Sequence, residues 1–319
     1  MPHLLNNKNV LVTGGAGLVG SHLVEKLLNL SARVFVLDIV VLPKSYFESQ
    51  QLEKQAKLLM VDLADSDKVR QVVEENRIDY IFHLGAQALV TEAVINPRRT
   101  FESNVMGTVN VMEAARMLPS VKGVLVASSD KAYGKDCVNV TEDHPLAGDH
   151  PYDVSKSATD LISTAYFKTY NLPVAVSRFG NIFGPGDLYF DRIMPGVMQS
   201  LIQHKTLEIR SDGQFRRDYV FVKDVVDGYI SLAENIEKIK GEAFNFSSDI
   251  NLSVLELIAE VGRILGQPVD FKILKSQRNE IPAQSLNFKK AQKVLGWKSK
   301  TDFDSAIKET YGWYENYLK

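Results

Sequence analysis

The stretch TGGAGLVGS (13–21), set between the apolar run NVLVT (9–13) and a helix-patterned segment, constrains this chain more than any other. Gly15, Gly17 and Gly20 satisfy G-x-G-x-x-G, and Gly14 starts an overlapping G-x-x-G-x-x-G. Glycine lets a strand turn tightly into a helix and lets the backbone approach a pyrophosphate. The helix start then offers unpaired N–H groups and positive partial charge. A Gly-rich turn alone is a weak signal. Its strand–turn–helix setting is what the motif requires.

The alternation continues downstream. RVFVLD (33–38), KLLMVD (57–62), DYIFHLG (79–85), KGVLVASS (122–129) and LPVAVSRFG (172–180) read as strands, apolar on both faces as buried parallel strands are. Helices are expected over 21–30, 67–77, 100–118 and 152–170. The pattern predicts an α/β chain with a doubly wound parallel sheet, a Rossmann fold, and a smaller C-terminal α/β domain. Residues 1–180 with part of 218–246 are assigned to the first domain, and 181–217 with 247–319 to the second. GNIFGPGDLYFDRIMPG (180–196), rich in Gly, Pro and aromatics, reads as an ordered loop entering a helix.

Composition removes other classes. With 45% hydrophobic residues, 24% charged residues and a net charge of −2, no basic nucleic-acid surface or polybasic membrane anchor is expected. Cys137 is the single cysteine, which excludes an internal disulfide and fits a reducing compartment. The N-terminus lacks the apolar core of a signal peptide, and no apolar run approaches a membrane span. His3, His22, His83, His144, His150 and His204 are scattered without metal-ligand spacing, so no metal is expected. His83, ending an apolar strand, reads as a satisfied structural residue. A cytoplasmic enzyme or binding protein is the expectation, with no nucleic-acid or membrane partner.

Asp38 ends the second strand about 20 residues beyond the turn, where an acid binds ribose hydroxyls. A carboxylate there repels a 2′-phosphate, so NAD is favoured over NADP. Asp62-Leu63 either brackets the adenine or caps a helix. Further on, YDVSK (152–156) sets Tyr152 and Lys156 on one helix face. A nearby ammonium would lower the phenol towards a useful base. Y-x-x-x-K is common by chance, but here it follows a nucleotide fold and the polar strand end Ser128-Ser129.

Taken together, TGGAGLVGS, Asp38, HLGAQ (83–87), ESNVMGTVNVMEAAR (102–116), SSDKAYG (128–134), YDVSK and RFGNIFGPGD (178–187) resemble the extended short-chain dehydrogenase/reductase family over essentially the whole chain. Within it, the chain is similar to NAD-dependent sugar-nucleotide 4,6-dehydratases. NVMGTVNV, IRSDGQFRRDYVFVKDV and EIPAQSLN most resemble the CDP-glucose 4,6-dehydratase branch. The resemblance implies cofactor contacts from Gly14, Gly17, Leu18, Val19, Gly20, Asp38, Asp62, Leu63, Leu84, Ala86, Tyr152 and Lys156. It implies that Ser129 and Tyr152 meet the sugar O4 while Lys156 holds the nicotinamide ribose. Asp130 and Lys131 fall where the family keeps an acid and a base for removing the C6 hydroxyl and the C5 proton. In the dTDP-glucose branch the second of these is Glu; the CDP-glucose and several N-acetylated-sugar branches resemble this chain in having Asp-Lys. Lys131 either takes the C5 proton or stabilises the enolate. The bland alternative is an ion pair capping the strand in solvent.

For the nucleotide diphosphate, the resemblance implies Arg217 and Arg278 as a clamp, with Asn181 and Arg192 assisting. Arg210 and Ile209 would flank the base, and Gln87 and Glu280 would contact the sugar. A homodimer through the helices near 100–118 and 152–170 is also implied. Two rival functions stay open. One is a sugar-nucleotide 4-epimerase, which needs no acid–base pair for elimination and usually has small uncharged residues at 130–131. The other is a non-catalytic dinucleotide sensor, which would not need Ser129, Tyr152 and Lys156 together.

Overall fold

The first strand, β1 (Asn9–Thr13), is an interior strand of the sheet, and its residues from Val10 onward are buried. The computed structural model describes residues 3–135, 137–274 and 283–319. The further strands are β2 (Arg33–Asp38), β3 (Lys57–Met60), β4 (Tyr80–His83), β5 (Gly123–Ala127), β6 (Val174–Phe179), β7 (Asn181–Phe183), β8 (Leu207–Ile209), β9 (Arg216–Phe221), β10 (Ala243–Phe246), β11 (Asn251–Ser253) and β12 (Phe271–Ile273). Seven of them form a parallel sheet in the order β10-β6-β5-β4-β1-β2-β3. This is a Rossmann fold. Strand order reverses between β1 and β4, and such a reversal leaves a crevice at the strands' carboxyl ends.

Helices cover both faces. Leu18–Asn29 and Val222–Ile239 pack on one, burying Leu23, Val24, Leu27, Val225, Leu232 and Ile236. Ser66–Glu75, Gly107–Met117 and Pro151–Tyr170 lie on the other, where Val69, Val73, Val111 and Met112 are fully buried. A third apolar cluster joins β7 and β9 to Ile193–Gln203, Val254–Leu265 and Phe303–Leu318. β11, β9 and β7 make its small sheet. The buried Asp224 carboxylate accepts from Ser299, Lys300 and Thr301, pinning the segment before the last helix.

Two local outcomes differ from the sequence expectations. Where one long helix was expected over 100–118, Glu102–Met106 forms a π-helical turn between Pro97–Phe101 and Gly107–Met117. Such turns accommodate an extra residue and often mark functional sites. The second difference lies in the 180–196 loop, which contains β7, paired in parallel with β9.

His83 is a structural residue. Its Nδ1 meets Thr13 Oγ1 at 2.8 Å and its Nε2 meets Thr108 Oγ1 at 3.1 Å. Thr13 already accepts from the Gly85 N–H and Thr108 already donates to the Asn104 carbonyl, so the neutral Nε2–H ring satisfies both. Burial lowers His83 from 6.5 to about 3. The unfolded chain therefore takes up a proton first as pH falls. The stability His83 contributes is complete above pH 6.5 and is lost towards about 3. Relative to His83→Gln, the wild type is expected to lose about 1.4 kcal/mol per pH unit between about pH 6 and 4. Urea denaturation of both proteins measures this, and parallel pH curves would refute it.

Candidate active site

A cleft of about 960 Å³ opens at the carboxyl edge of the main sheet, bordered by residues of the third apolar cluster. Gly14, Gly17, Leu18, Val19, Gly20, Asp38, Asp62, Leu63, Leu84, Ala86 and Gln87 line it, with Ser129, Asp130, Lys131, Tyr152, Lys156, Asn181, Arg192 and Arg217. Residues drawn from distant parts of the sequence thus share one cavity. Arg278 and Glu280 lie outside the described residues.

Steric contacts account for the glycines. Gly14 has φ +66°, and a Cβ there would lie 2.7 Å from Gly85 Cα; one on Gly20 would lie 2.1 Å from the Gly14 carbonyl oxygen. Gly17 caps Leu18–Asn29 in extended conformation without a side-chain cap, so no cap side chain competes for the first-turn amides. Beside this turn the Asp38 carboxylate accepts from Ala16 N at 3.0 Å and Ile39 N at 2.8 Å. Burial pushes its carboxyl up, against those hydrogen bonds. Asp62 accepts from Ala64 N at 2.9 Å and pairs with Arg99 at 2.7 Å. The cap of Ser66–Glu75 is Asp65, which overturns the capping alternative for Asp62.

Pro151 opens the next helix and sets Tyr152 and Lys156 one turn apart against the end of β5. Lys156 Nζ donates to the Ala127 carbonyl at 2.7 Å, and burial brings this lysine down to about 8. Tyr152 is pushed up to about 12 by burial, with Asp130 adding to the rise; Arg192 and a hydrogen bond to Ser129 pull the other way. The expected lowering of Tyr152 by Lys156 is therefore not found. Desolvation outweighs the nearby positive charge, and the Lys156 ammonium is held by a carbonyl rather than by the phenol.

Ser129 caps the single turn Asp130–Tyr133, accepting from Lys131 N at 3.2 Å and donating to Asp130 Oδ1 at 2.9 Å. Lys131 Nζ lies 3.4 Å from Asp130 Oδ2. Asp130 is only 5% exposed, which rules out a solvated strand cap. Beneath this turn, Arg178 pairs bidentately with Asp160 and donates to Tyr133 Oη, all of them buried.

Among the expected substrate contacts, Arg217 on β9 donates to the Arg216 carbonyl at 2.8 Å, and Asn181 lies on the neighbouring β7. Arg216 is engaged with Asn251 and Glu256 instead. Arg192 pairs with the buried Asp187 at 3.1 Å and stacks over Tyr189. Arg210 donates to the Asp191 carbonyl, and both it and the buried Ile209 border the cleft. Gln87 Oε1 is buried without a hydrogen-bond partner among the described residues.

Three site residues escaped the sequence reading. Asn104, in the π-turn, exchanges hydrogen bonds with the Gln87 backbone and donates to Ser155, which donates to the Tyr152 carbonyl. Asp187 holds Arg192. Gln284 accepts from Lys131 Nζ and donates to the Asp130 carbonyl. Asn104 and Gln284 lie inside quoted motifs, ESNVMGTVNVMEAAR and EIPAQSLN, which were the only available signals. Among the described residues no cluster of His, Cys, Asp or Glu could hold a metal, and no helix is long and apolar enough to cross a membrane.

A Rossmann sheet with Ser129, Tyr152 and Lys156 converging at the end of β5 defines an extended short-chain dehydrogenase/reductase. The profile of the GDP-mannose 4,6-dehydratase family matches residues 11–310, and the chain belongs to that family of sugar-nucleotide enzymes. It is 27% identical to the dTDP-D-glucose 4,6-dehydratase of Mus musculus over 319 residues, covering 96% of this chain and 88% of the relative. A UDP-glucose 4-epimerase of Thermotoga maritima, solved with UDP-glucose, superposes with a TM-score of 0.89 at 27% identity, covering 98% of this chain and 100% of that one. A dTDP-glucose 4,6-dehydratase of Streptomyces venezuelae, solved with NAD, gives 0.88 at 26% identity, covering 97% of both chains.

Proposed function

We propose that the chain is an NAD-dependent sugar-nucleotide 4,6-dehydratase, with CDP-glucose as its preferred substrate. The observation that carries this reading is the pair of buried Asp130 and part-buried Lys131, lining the same cleft as Ser129 and Tyr152. NAD fits the residues present: the tight Gly14–Gly20 turn and open first-turn amides suit a pyrophosphate, and Asp38 suits a ribose diol. What NAD supplies when bound is a hydride acceptor for C4 and the return of that hydride at C6.

The chain's own groups move the protons. Ser129 and Tyr152 hold the O4 hydroxyl, and Tyr152 takes its proton as the C4–H bond breaks. The resulting ketone acidifies C5–H. Lys131 takes the C5 proton as base, and the ammonium it becomes stands beside the enolate. Asp130 gives a proton to the C6 hydroxyl, which leaves as water while the C5–H electrons form the C5–C6 double bond. A proton then returns to C5 as C6 is reduced. The sum is NDP-hexose to NDP-4-keto-6-deoxyhexose plus water. Arg217, Asn181 and Arg192 would grip the diphosphate, and Gln87 Oε1, without a partner among the described residues, would take a hydroxyl of the sugar.

The preference for CDP-glucose rests on Asp-Lys standing where the dTDP-glucose branch has Asp-Glu. The epimerase reading is favoured by the likeness to the Thermotoga enzyme, but an epimerase leaves Asp130 and Lys131 without work. Incubating pure protein with CDP-, dTDP-, UDP- and GDP-linked hexoses tests the proposal. Loss of one water with the nucleotide retained supports it, and an isomer of unchanged mass sinks it. Gly20→Ala is expected to weaken NAD binding by at least about 100-fold, since its Cβ would strike backbone 2.1 Å away. Fluorescence titration reads the affinity, and unchanged binding would contradict the assigned cofactor site.

A homodimer is proposed on the same footing. Phe101, Met106, Met117, Val154 and Leu161 leave apolar surface exposed on the helices expected to pair. Light scattering of the pure protein decides between dimer and monomer.

A further inference from the structure

Gln284 is 1% exposed, and its side-chain amide is committed to the Asp130–Lys131 turn. Its Oε1 accepts from Lys131 Nζ, its Nε2 donates to the Asp130 carbonyl at 2.9 Å, and its backbone N–H donates to the Arg216 carbonyl at 3.2 Å. That same carbonyl accepts from Arg217 Nη1 at 2.8 Å. One buried residue therefore joins the acid–base dipeptide to the strand that carries Arg217.

The chemistry of the amide matters as much as its position. Two carboxylates bear on the Lys131 ammonium: Asp130, at 3.4 Å, and Asp153, whose burial-raised carboxyl Lys131 pulls back down. Gln284 is thus the neutral group that shares the ammonium with the Asp130 carboxylate, to which Lys131 Nζ also donates. A neutral amide oxygen holds the ammonium in place without adding a charge that locks its proton on.

We propose that Gln284 is a positioning residue for water elimination: it shares the Lys131 ammonium with Asp130, holding that side chain in place, and fixes the turn against the Arg217 strand. This rests on the dehydratase reading. Gln284 itself need not touch the substrate.

Gln284→Leu and Gln284→Glu, each alone and with Lys131→Met, test the proposal. Three readouts are followed: C4 oxidation by nicotinamide absorbance, C5–H exchange with deuterated water, and loss of water by mass. In Gln284→Leu, C4 oxidation and KM are expected within about threefold of wild type, while C5 exchange and water loss fall about 100-fold, the scale of a small misplacement of a reacting group. With Lys131→Met already present, the same change is expected to cost less than about twofold, because the two residues act as one unit. Gln284→Glu keeps an oxygen on Lys131 but adds a carboxylate. It is expected to move the rising limb of the C5-exchange pH profile to higher pH, and it decides the matter should Gln284→Leu fail to fold.

Equal loss of oxidation and exchange in Gln284→Leu, full additivity with Lys131→Met, or an unmoved pH limb in Gln284→Glu would overturn the role of Gln284 while leaving the dehydratase intact. Wild-type protein that releases no water from any of the substrates would overturn the dehydratase reading itself.

Discussion

Lys131→Met is expected to leave C4 oxidation within a few-fold of wild type while water loss falls by about 10²–10⁴, the range over which positioned acid–base groups act. Methionine keeps the length of the side chain but cannot donate, accept a proton or carry charge. Asp130 stays in place, since Ser129 Oγ and the Gln284 amide both hold its turn. The variant should therefore stall after the first stage, with reduced nicotinamide accumulating on the enzyme and no deuterium entering at C5. Rapid-mixing absorbance and product mass measure the two halves separately. If water loss stays near the wild-type rate, Lys131 is a structural partner of Asp130 and Gln284 only.

Tyr152→Phe is expected to act earlier and to remove everything. Without the phenol oxygen nothing takes the O4 proton, so C4 oxidation falls by about 10²–10⁴ and no later stage is reached. The pH dependence carries a second signature. Burial holds Tyr152 up at about 12, so the ionised form is scarce at neutral pH and grows as pH rises. Wild-type C4 oxidation should accordingly rise with pH below that value, and the rise should vanish in Tyr152→Phe. A flat wild-type profile would assign the O4 proton to another group. Lys131→Met and Tyr152→Phe together separate the oxidation from the elimination, one losing both and the other losing only the second.

The fold was legible because its signals are local. Strands such as NVLVT and RVFVLD are apolar on both faces, as strands covered on both sides must be, and the glycines mark a turn where backbone meets backbone at Gly14, Gly20 and Gly85. Ser129, Tyr152 and Lys156 were legible from motif and context, and they do line one cleft. Other features depend on what surrounds a residue rather than on its neighbours in sequence. The i, i+4 spacing of Tyr152 and Lys156 is real, but it does not show that Lys156 turns to the Ala127 carbonyl and that burial governs the phenol. The π-turn at 102–106 lies in a segment that reads as apolar on more than one side, so its extra residue left no break in the pattern. Gln284 reaches Asp130 from the far end of the chain, and nothing near SSDKAYG announces it. Arg192 was expected at the diphosphate. Its pairing with Asp187, which comes from the Gly-Pro-aromatic loop, became visible only once that loop was folded.

The central claim is that the hydrogen leaving C4 comes back at C6 after water has gone. CDP-glucose deuterated at C4, incubated with the pure protein in ordinary water, tests this directly. The account predicts a product lighter by one water, a ketone at C4, deuterium in the C6 methyl group and solvent hydrogen at C5. Deuterium still on C4, in a product of unchanged mass with inverted C4 configuration, would contradict it and make the enzyme an epimerase.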